Sequence, residues 1–415
     1  MSGCELCPAL RVTFSQKYWI SSRSVGGSER GVDRMSKALN RLGVPVTILT
    51  CGGYARDGQR SEEFSNKYRL DIGRQGILLA EIPSMPEITD IIVSSDPKEL
   101  GVLHMVWGFE HYPESLSRCL KIDGVPKIFS TMEINQFEQI TQELENPVAK
   151  QKHVEQMCKK VDCLVAISDP LAQEARELGF PDVRTIYLPV PVDIFTPATA
   201  IQKNELRRRS NLPIDKKCCF FAGRITKDKG IDMLMDGFTQ LSLQRPNDWR
   251  LIIAGGLDLD DELERRFSDF VNRPDVKYLG VITSEQEIAN YMRLSDVFVY
   301  PSVHTEGLAL SVAEAMACGL PVVTTEFATS KTGMKDLVIP GETGITFDST
   351  VRPGQAICDA LSGLDKDLVT RLGVNARDKI FKLRMDDSQV GVQLRDLYCE
   401  LLNKYGRCYK RDASI

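Results

Sequence analysis

Short apolar runs alternate along the chain with stretches whose apolar residues recur at helical spacing. Residues 11–15 form the first run, and a polar loop ending Ser24-Val25-Gly26-Gly27-Ser28-Glu29 follows it. Val32, Met35, Leu39 and Leu42 then fall on one helical face, Gly43 closes the helix, and residues 44–50 read as a second strand. This is a βαβ unit with glycines where strand meets helix. Further strands are predicted at 76–82, 102–106, 127–130 and 163–167, with helical patterns between most of them. Such alternation specifies a parallel sheet covered on both faces.

Around residues 188–197 the pattern breaks into a proline-rich extended stretch that reads as an interdomain link. The grammar then starts again, with a strand at 218–222, a loop at 223–230, a helix through Leu234 and Phe238, and strands at 249–254, 276–279, 297–300 and 322–324. Beyond Gly354 the pattern is helical, and Val390, Leu394, Leu397, Leu401 and Leu402 make an amphipathic terminal helix that could cover either domain. The predicted architecture is α/β. A Rossmann-like domain at 1–190 and another at 191–385 face each other, and a helical segment at 386–415 crosses towards the first. The carboxyl ends of both sets of strands should open on one cleft.

At 415 residues the chain is too long for one core and suits two. An apolar fraction of 42% and a charged fraction of 26% are ordinary for a globular protein, and a net charge of −5 argues against a nucleic-acid partner held by bulk electrostatics. No apolar run reaches the ~18 residues of a membrane span. The start, MSGCELCPALRVTF, lacks the basic and apolar regions of a secretion signal, so a soluble, cytoplasmic protein is expected. Twelve cysteines include one CxxC pair, Cys4 and Cys7, with no second pair to complete a zinc site; free thiols are expected.

The chemistry concentrates in the second half. In PSVHTEGLALSVAEAMACGLPVV, residues 301–323, Glu306 and Glu314 should stand at the two ends of a helix. At 1.5 Å per residue they would be about 12 Å apart, roughly the span from the sugar to the ribose of a sugar nucleotide. The amides at the helix start would attract anions and sugar oxygens between them. In the loop 223–230, Arg224 and Lys229 follow a strand and precede a helix, where a diphosphate would meet both; a solvated basic loop is the other reading.

Other features carry less. Gly26-Gly27 fits either a tight turn or a close approach to phosphate, and it is not the spaced GxGxxG of a nicotinamide site. Asp258-Leu259-Asp260 looks like a metal-binding DxD but sits where acids cap a helix, and no metal is implied. None of the four histidines, His104, His111, His153 and His304, has ligand spacing with another.

Together these residues resemble glycosyltransferase family 4, whose members are retaining enzymes of the GT-B fold. The resemblance runs from about Gly26 to Tyr405. It is carried by the glycine loop and its helix, Ser168, Val192-Asp193 with Phe195 and Pro197, and Gly223-Arg224 with Lys229-Gly230. Ala254-Gly255, Leu279-Gly280, Pro301-Ser302, Gly341 and Gly344 add to it, and the most specific sign is the Glu, seven residues, Glu frame around EAMACGLPVV.

The resemblance implies that Arg224 and Lys229 hold the donor diphosphate, Glu314 the ribose, and Glu306 the transferred sugar. Its hydroxyls would be reached by the backbone of Gly307, Leu308 and Ala309; Val281, beside Gly280, would face the base, and Gly26 and Gly27 would approach the donor. Two departures stand out. Leu308 and Ala309 replace the usual Phe and Gly. Met132, in Phe129-Ser130-Thr131-Met132-Glu133, stands where a strand-end histidine is expected.

The expected activity is metal-independent, cofactor-free transfer of a hexose from a nucleoside diphosphate sugar to a hydroxyl acceptor. GDP-mannose is preferred over UDP-glucose as donor. The acceptor is open among a glycan, a lipid-linked sugar and a small molecule, and oligomeric state is not encoded. Two alternatives are a sugar-nucleotide binding protein with little catalysis, motivated by Met132, and a GT-B-like epimerase.

Overall fold

The computed structural model describes residues 10–16, 27–51, 77–82, 84–106, 112–133, 136–137, 146–326 and 332–407. The chain divides into two compact units: the described residues up to Pro189 together with those from Asp387 onward, and Val190–Asp386.

Seven parallel strands form the sheet of the first unit: β1 (Val12–Gln16), β2 (Val46–Cys51), β3 (Ile77–Ile82), β4 (Val102–Met105), β5 (Lys127–Thr131), β6 (Cys163–Ala166) and β7 (Val183–Thr185), in the order β3-β2-β1-β4-β5-β6-β7. Every residue of β4, β5 and β6 is buried, as in a parallel sheet covered on both faces, and the polar residues His104, Lys127, Ser130 and Thr131 are buried with the apolar ones. The order reverses between β1 and β4. Helix Gly27–Arg41 follows β1 and buries Val32, Met35 and Leu39, as their spacing requires.

The terminal helix, Asp387–Lys404, belongs to this unit. It crosses Gly27–Arg41 at Gly391, where a Cβ would lie 3.1 Å from the Ala38 carbonyl oxygen. Val390, Leu394, Leu397, Leu401 and Leu402 are all buried. Polar bonds fasten the same helix. Arg184 donates to both carboxylate oxygens of Glu400 at 2.8 Å and holds that acid well below the usual range, at about 2. The Tyr405 hydroxyl, just past the helix end, reaches Asp162 at 3.0 Å.

Six parallel strands make the second unit: β8 (Lys217–Ala222), β9 (Trp249–Ala254), β10 (Val276–Tyr278), β11 (Val297–Tyr300), β12 (Val322–Thr325) and β13 (Gly344–Phe347), in the order β10-β9-β8-β11-β12-β13. Its reversal lies between β8 and β11. The starts of these two central strands are pinned by Asp296, which accepts from Arg207 (2.7 Å), Lys203 (2.6 Å) and the Cys218 amide (2.7 Å). The chain enters and leaves this unit side by side, the Val190 amide donating to the Met385 carbonyl at 2.8 Å.

Most expected strands agree with the structure to within two residues at each end, and β7 and β13 are additions. All three residues of β7 are half-buried, and β13 opens on a glycine with two half-buried positions, so neither shows an apolar run. The described cysteines Cys119, Cys158, Cys163, Cys218, Cys219, Cys318, Cys358 and Cys399 are free. Among the described residues no helix is long and apolar enough to cross a membrane.

Candidate functional site

The carboxyl ends of β8, β9, β10 and β11 bring the chemistry of the second unit together. Loop 223–230 leaves β8, and its Ile225 amide donates to the Gly256 carbonyl at 2.8 Å, while the Asp258 amide returns to the Ile225 carbonyl at 3.0 Å. The Gly255 amide in turn reaches the Gly280 carbonyl at 2.8 Å, so three consecutive strand-end loops are laced by backbone bonds. Two glycines are obligatory here. Gly255 has φ 152° and lies so close to β8's end that a Cβ would sit 1.8 Å from the Gly223 oxygen. Gly230, at φ 74°, caps helix Ile231–Gln244, and a Cβ there would sit 2.0 Å from the Pro301 oxygen.

That close approach sets Lys229 against the loop after β11. The Lys229 ammonium donates to Glu306 Oε1 at 2.5 Å, with side-chain exposures of only 8% and 12%. The same oxygen accepts from the Tyr300 hydroxyl at 3.0 Å and the Ser302 hydroxyl at 2.9 Å. The Glu306 carbonyl also accepts, from the Gly333 amide at 2.9 Å and the Thr332 hydroxyl at 3.2 Å. A buried carboxylate is tolerated only when it is paired and hydrogen-bonded, and this one is both. Burial and the neighbouring Glu306 charge push the Tyr300 phenol well above its ordinary value, so it stays a donor.

Asp228 links the loops after β8 and β11 from the other side. Its carbonyl accepts from the Val303 and His304 amides at 2.9 and 3.2 Å. Burial alone would raise its carboxyl, but the Thr226 hydroxyl and the Lys229 and Arg224 charges outweigh it and hold the acid below the usual range. His304 is half exposed, 3.9 Å from the Asp228 carboxylate, as a loop polar residue would be. Arg224 is 58% exposed, and its contact to Asp258 at 3.7 Å leaves the guanidinium open to an anion.

One expectation is corrected. The helix here is Leu310–Ala317, so Glu306 is not at its start and Glu314 stands in its interior. Glu306 is drawn onto Lys229, Tyr300 and Ser302 instead, and Ala309, with φ −82° and ψ 97°, keeps the chain extended until the helix begins. A separation reckoned from helical rise therefore does not apply. Glu314 is 2% exposed. Gly307, Leu308 and Ala309 form the buried bend between Glu306 and the helix. Asp260, of the Asp258-Leu259-Asp260 run, caps helix Asp261–Val271 by accepting from the Leu263 amide at 2.9 Å.

The remaining positions are placed as follows. Val281 is 45% exposed, with Cγ2 3.3 Å from where a Gly256 Cβ would be, so it walls the loop after β9. Gly27 is the first residue of its helix, and Gly26 lies outside the described residues. Met132 follows β5, is buried, and donates its amide to Gln136 Oε1 at 2.8 Å. Sequence reasoning gave no role to Tyr300 or Asp228. Tyr300 is the only polar tip on the run Val297-Phe298-Val299-Tyr300, and that was the available signal.

Comparison with known proteins bears on the family and the fold. Residues 25–194 match the family model described as "Glycosyltransferase Family 4", and residues 202–377 match "Glycosyl transferases group 1". A D-inositol 3-phosphate glycosyltransferase of Xylanimonas cellulosilytica is 28% identical over 255 residues, covering 59% of this chain and 58% of that protein. A GDP-mannose-dependent monoacylated alpha-(1-6)-phosphatidylinositol monomannoside mannosyltransferase of Corynebacterium glutamicum is 30% identical over 172 residues, covering 40% of this chain and 43% of its own length. The chain thus spans about half the length of these relatives. Among solved structures, the sucrose-phosphate synthase of Thermosynechococcus elongatus superposes with a TM-score of 0.70 at 20% identity, over 95% of this chain and all of the other.

Proposed function

Because the chain belongs to the glycosyltransferases of family 4 and has the GT-B fold, we propose that it is a retaining hexosyltransferase that moves a sugar from a nucleoside diphosphate donor to a hydroxyl acceptor without a metal. One observation supports this above the others: Lys229, Glu306, Tyr300 and Ser302 meet at the mouth of β11, beside a helix start and an open arginine. A helix start with two cations suits a diphosphate, and an anchored carboxylate beside it suits the hydroxyls of the sugar that the diphosphate carries.

The difficult step is expulsion of the diphosphate, because negative charge gathers on its oxygens as the anomeric bond breaks. Arg224, Lys229 and the amides that open helix Ile231–Gln244 stabilise that charge. Glu306 orients the sugar and favours the positive charge that develops on its ring. The bend at Gly307, Leu308 and Ala309 offers amides to the sugar, Glu314 holds the ribose, and Val281 lies along the base. The departing phosphate takes the acceptor's proton as the acceptor attacks on the same face, so configuration is kept. GDP-mannose is the first donor to test, in keeping with the mannosyltransferase relative, and UDP-glucose the second. The glycosyltransferase of D-inositol 3-phosphate makes a phosphorylated cyclitol the first acceptor.

The direct test is incubation of both donors with inositol 3-phosphate and a panel of simple glycosides, with the product anomer read by NMR. Transfer with retention is expected. Inversion, or intact donor in every mixture, contradicts the proposal. Met132 favours a second reading, a binding protein with little catalysis, because an apolar side chain stands where the resemblance leads one to expect histidine. Donor binding without hydrolysis or transfer would decide for it.

A further inference from the structure

The Glu306 carboxylate is bonded unequally. Lys229, Tyr300 and Ser302 all converge on Oε1, and among the described residues no donor reaches Oε2. The two hydroxyls belong to a framework that is itself fixed. The Thr324 hydroxyl holds the Tyr300 carbonyl at 2.7 Å, and the Thr325 hydroxyl holds the Ser302 carbonyl at 2.6 Å. The Tyr300 ring is nearly parallel to those of Phe221 and Phe298, each at a centroid distance of 6.1 Å, and this packing holds the ring in place. The phenol is buried, and Glu306 is the acceptor that satisfies it.

We infer that Tyr300, with Ser302, is a positioning residue for the donor sugar: the two hydroxyls hold Oε1 so that Oε2 is presented to the sugar's hydroxyls. Lys229 cannot do this alone. Its ammonium is a point charge on a flexible stem and also has the diphosphate to serve, so a carboxylate held only by Lys229 would swing with it. Two hydroxyls on a rigid strand end fix the carboxylate whether or not a diphosphate is bound. Tyr300 touches Glu306 and acts through it. This inference rests on the proposed donor site and adds a division of labour within it, in which the cations recognise the diphosphate while Tyr300 and Ser302 set recognition of the sugar.

The experiment compares dissociation constants for an intact sugar nucleotide and for its nucleoside diphosphate by calorimetry, using GDP-mannose with GDP and UDP-glucose with UDP. Tyr300→Phe should raise the ratio of the first constant to the second at least about tenfold, the low end for a hydrogen bond to a charged group. The nucleoside diphosphate constant should stay within about twofold, since the cations are untouched. In a Glu306→Ala background the same change should move the ratio no further, because Tyr300 has nothing left to position. A purely structural role would weaken both ligands together and persist without Glu306.

An unchanged ratio in a folded Tyr300→Phe protein overturns the inference and leaves the donor site standing. Failure of the wild-type protein to bind either pair overturns both. Should Tyr300→Phe not fold, Ser302→Ala removes a second donor from the same oxygen and must raise the ratio in the same direction; an unchanged ratio there overturns the inference equally.

Discussion

The two units share one grammar, a parallel sheet whose strand order reverses at its centre, yet His104 of the first and Glu306 of the second are bonded in opposite ways. In the first unit His104 lies within β4, fully buried, with Nε2 2.6 Å from the Ser130 hydroxyl and Nδ1 2.8 Å from the Tyr398 hydroxyl. Burial drives its pKa down to about 3, so the ring stays neutral, and its two nitrogens are used up, one tying β4 to the terminal helix through Tyr398 and the other tying it to β5 through Ser130. In the second unit Lys229 and Glu306 stand in loops beyond the strand ends, and the bonding of Glu306 leaves Oε2 without a donor among the described residues. A buried ionisable group with every atom satisfied is part of the scaffold. One with bonding capacity to spare at a strand end is a candidate site.

The contrast breaks most visibly at Lys229. Lys229→Ala leaves a nearly buried carboxylate without its cation, which should cost about 3–5 kcal/mol in urea unfolding. Transfer should fall ~10² to 10³-fold in steady-state assays, as for loss of one preorganised donor. Arg224→Ala should lower transfer by ~10² to 10³ as well. Its exposed contact to Asp258 is worth at most ~1 kcal/mol, so the unfolding midpoint should hardly move. If instead Arg224→Ala turns over donor at the wild-type rate, its assigned role is wrong.

The first unit should answer differently. Tyr398→Phe strips His104 of one buried partner and should cost about 1–3 kcal/mol of stability, with nucleotide affinity unchanged by calorimetry. A comparable loss of nucleotide binding would erase the distinction between the units. The last effect is a slope. The folded state keeps His104 neutral down to about pH 3, whereas the unfolded chain takes up the proton near 6.5. Between those values the unfolded state binds more protons, so stability rises with pH by at most ~1.4 kcal/mol per unit and is complete above 6.5. His104→Gln should flatten urea-derived stability across that window.

How much of this was legible follows from where each signal is encoded. Central strands such as β9 and β11 are buried on both faces, so their apolar runs announced them to the residue. The edge strands β7 and β13 are partly exposed and carry no such run. Residue identity and spacing marked Arg224 and Lys229, in a glycine loop between a strand and a helix, and Glu306 and Glu314, in the Glu, seven residues, Glu frame, as site candidates. The shape of the Glu306 segment was hidden. Local periodicity suggested a helix beginning there, but the loop is set by Lys229, 77 positions away, and by the Thr332 and Gly333 contacts. His104 was equally opaque, since its partner Tyr398 is 294 positions distant. Only folding brings such pairs together.

The central claim is that protein charges of the second unit, and no metal ion, hold the diphosphate of a sugar nucleotide. Calorimetric titration of GDP-mannose and UDP-glucose in the presence of EDTA, with wild-type protein and Lys229→Ala side by side, tests it most directly. The account predicts that one donor binds the wild-type protein with the same dissociation constant with or without chelator, and that Lys229→Ala loses this binding. Binding that vanishes with EDTA, or that survives undiminished in Lys229→Ala, would contradict it.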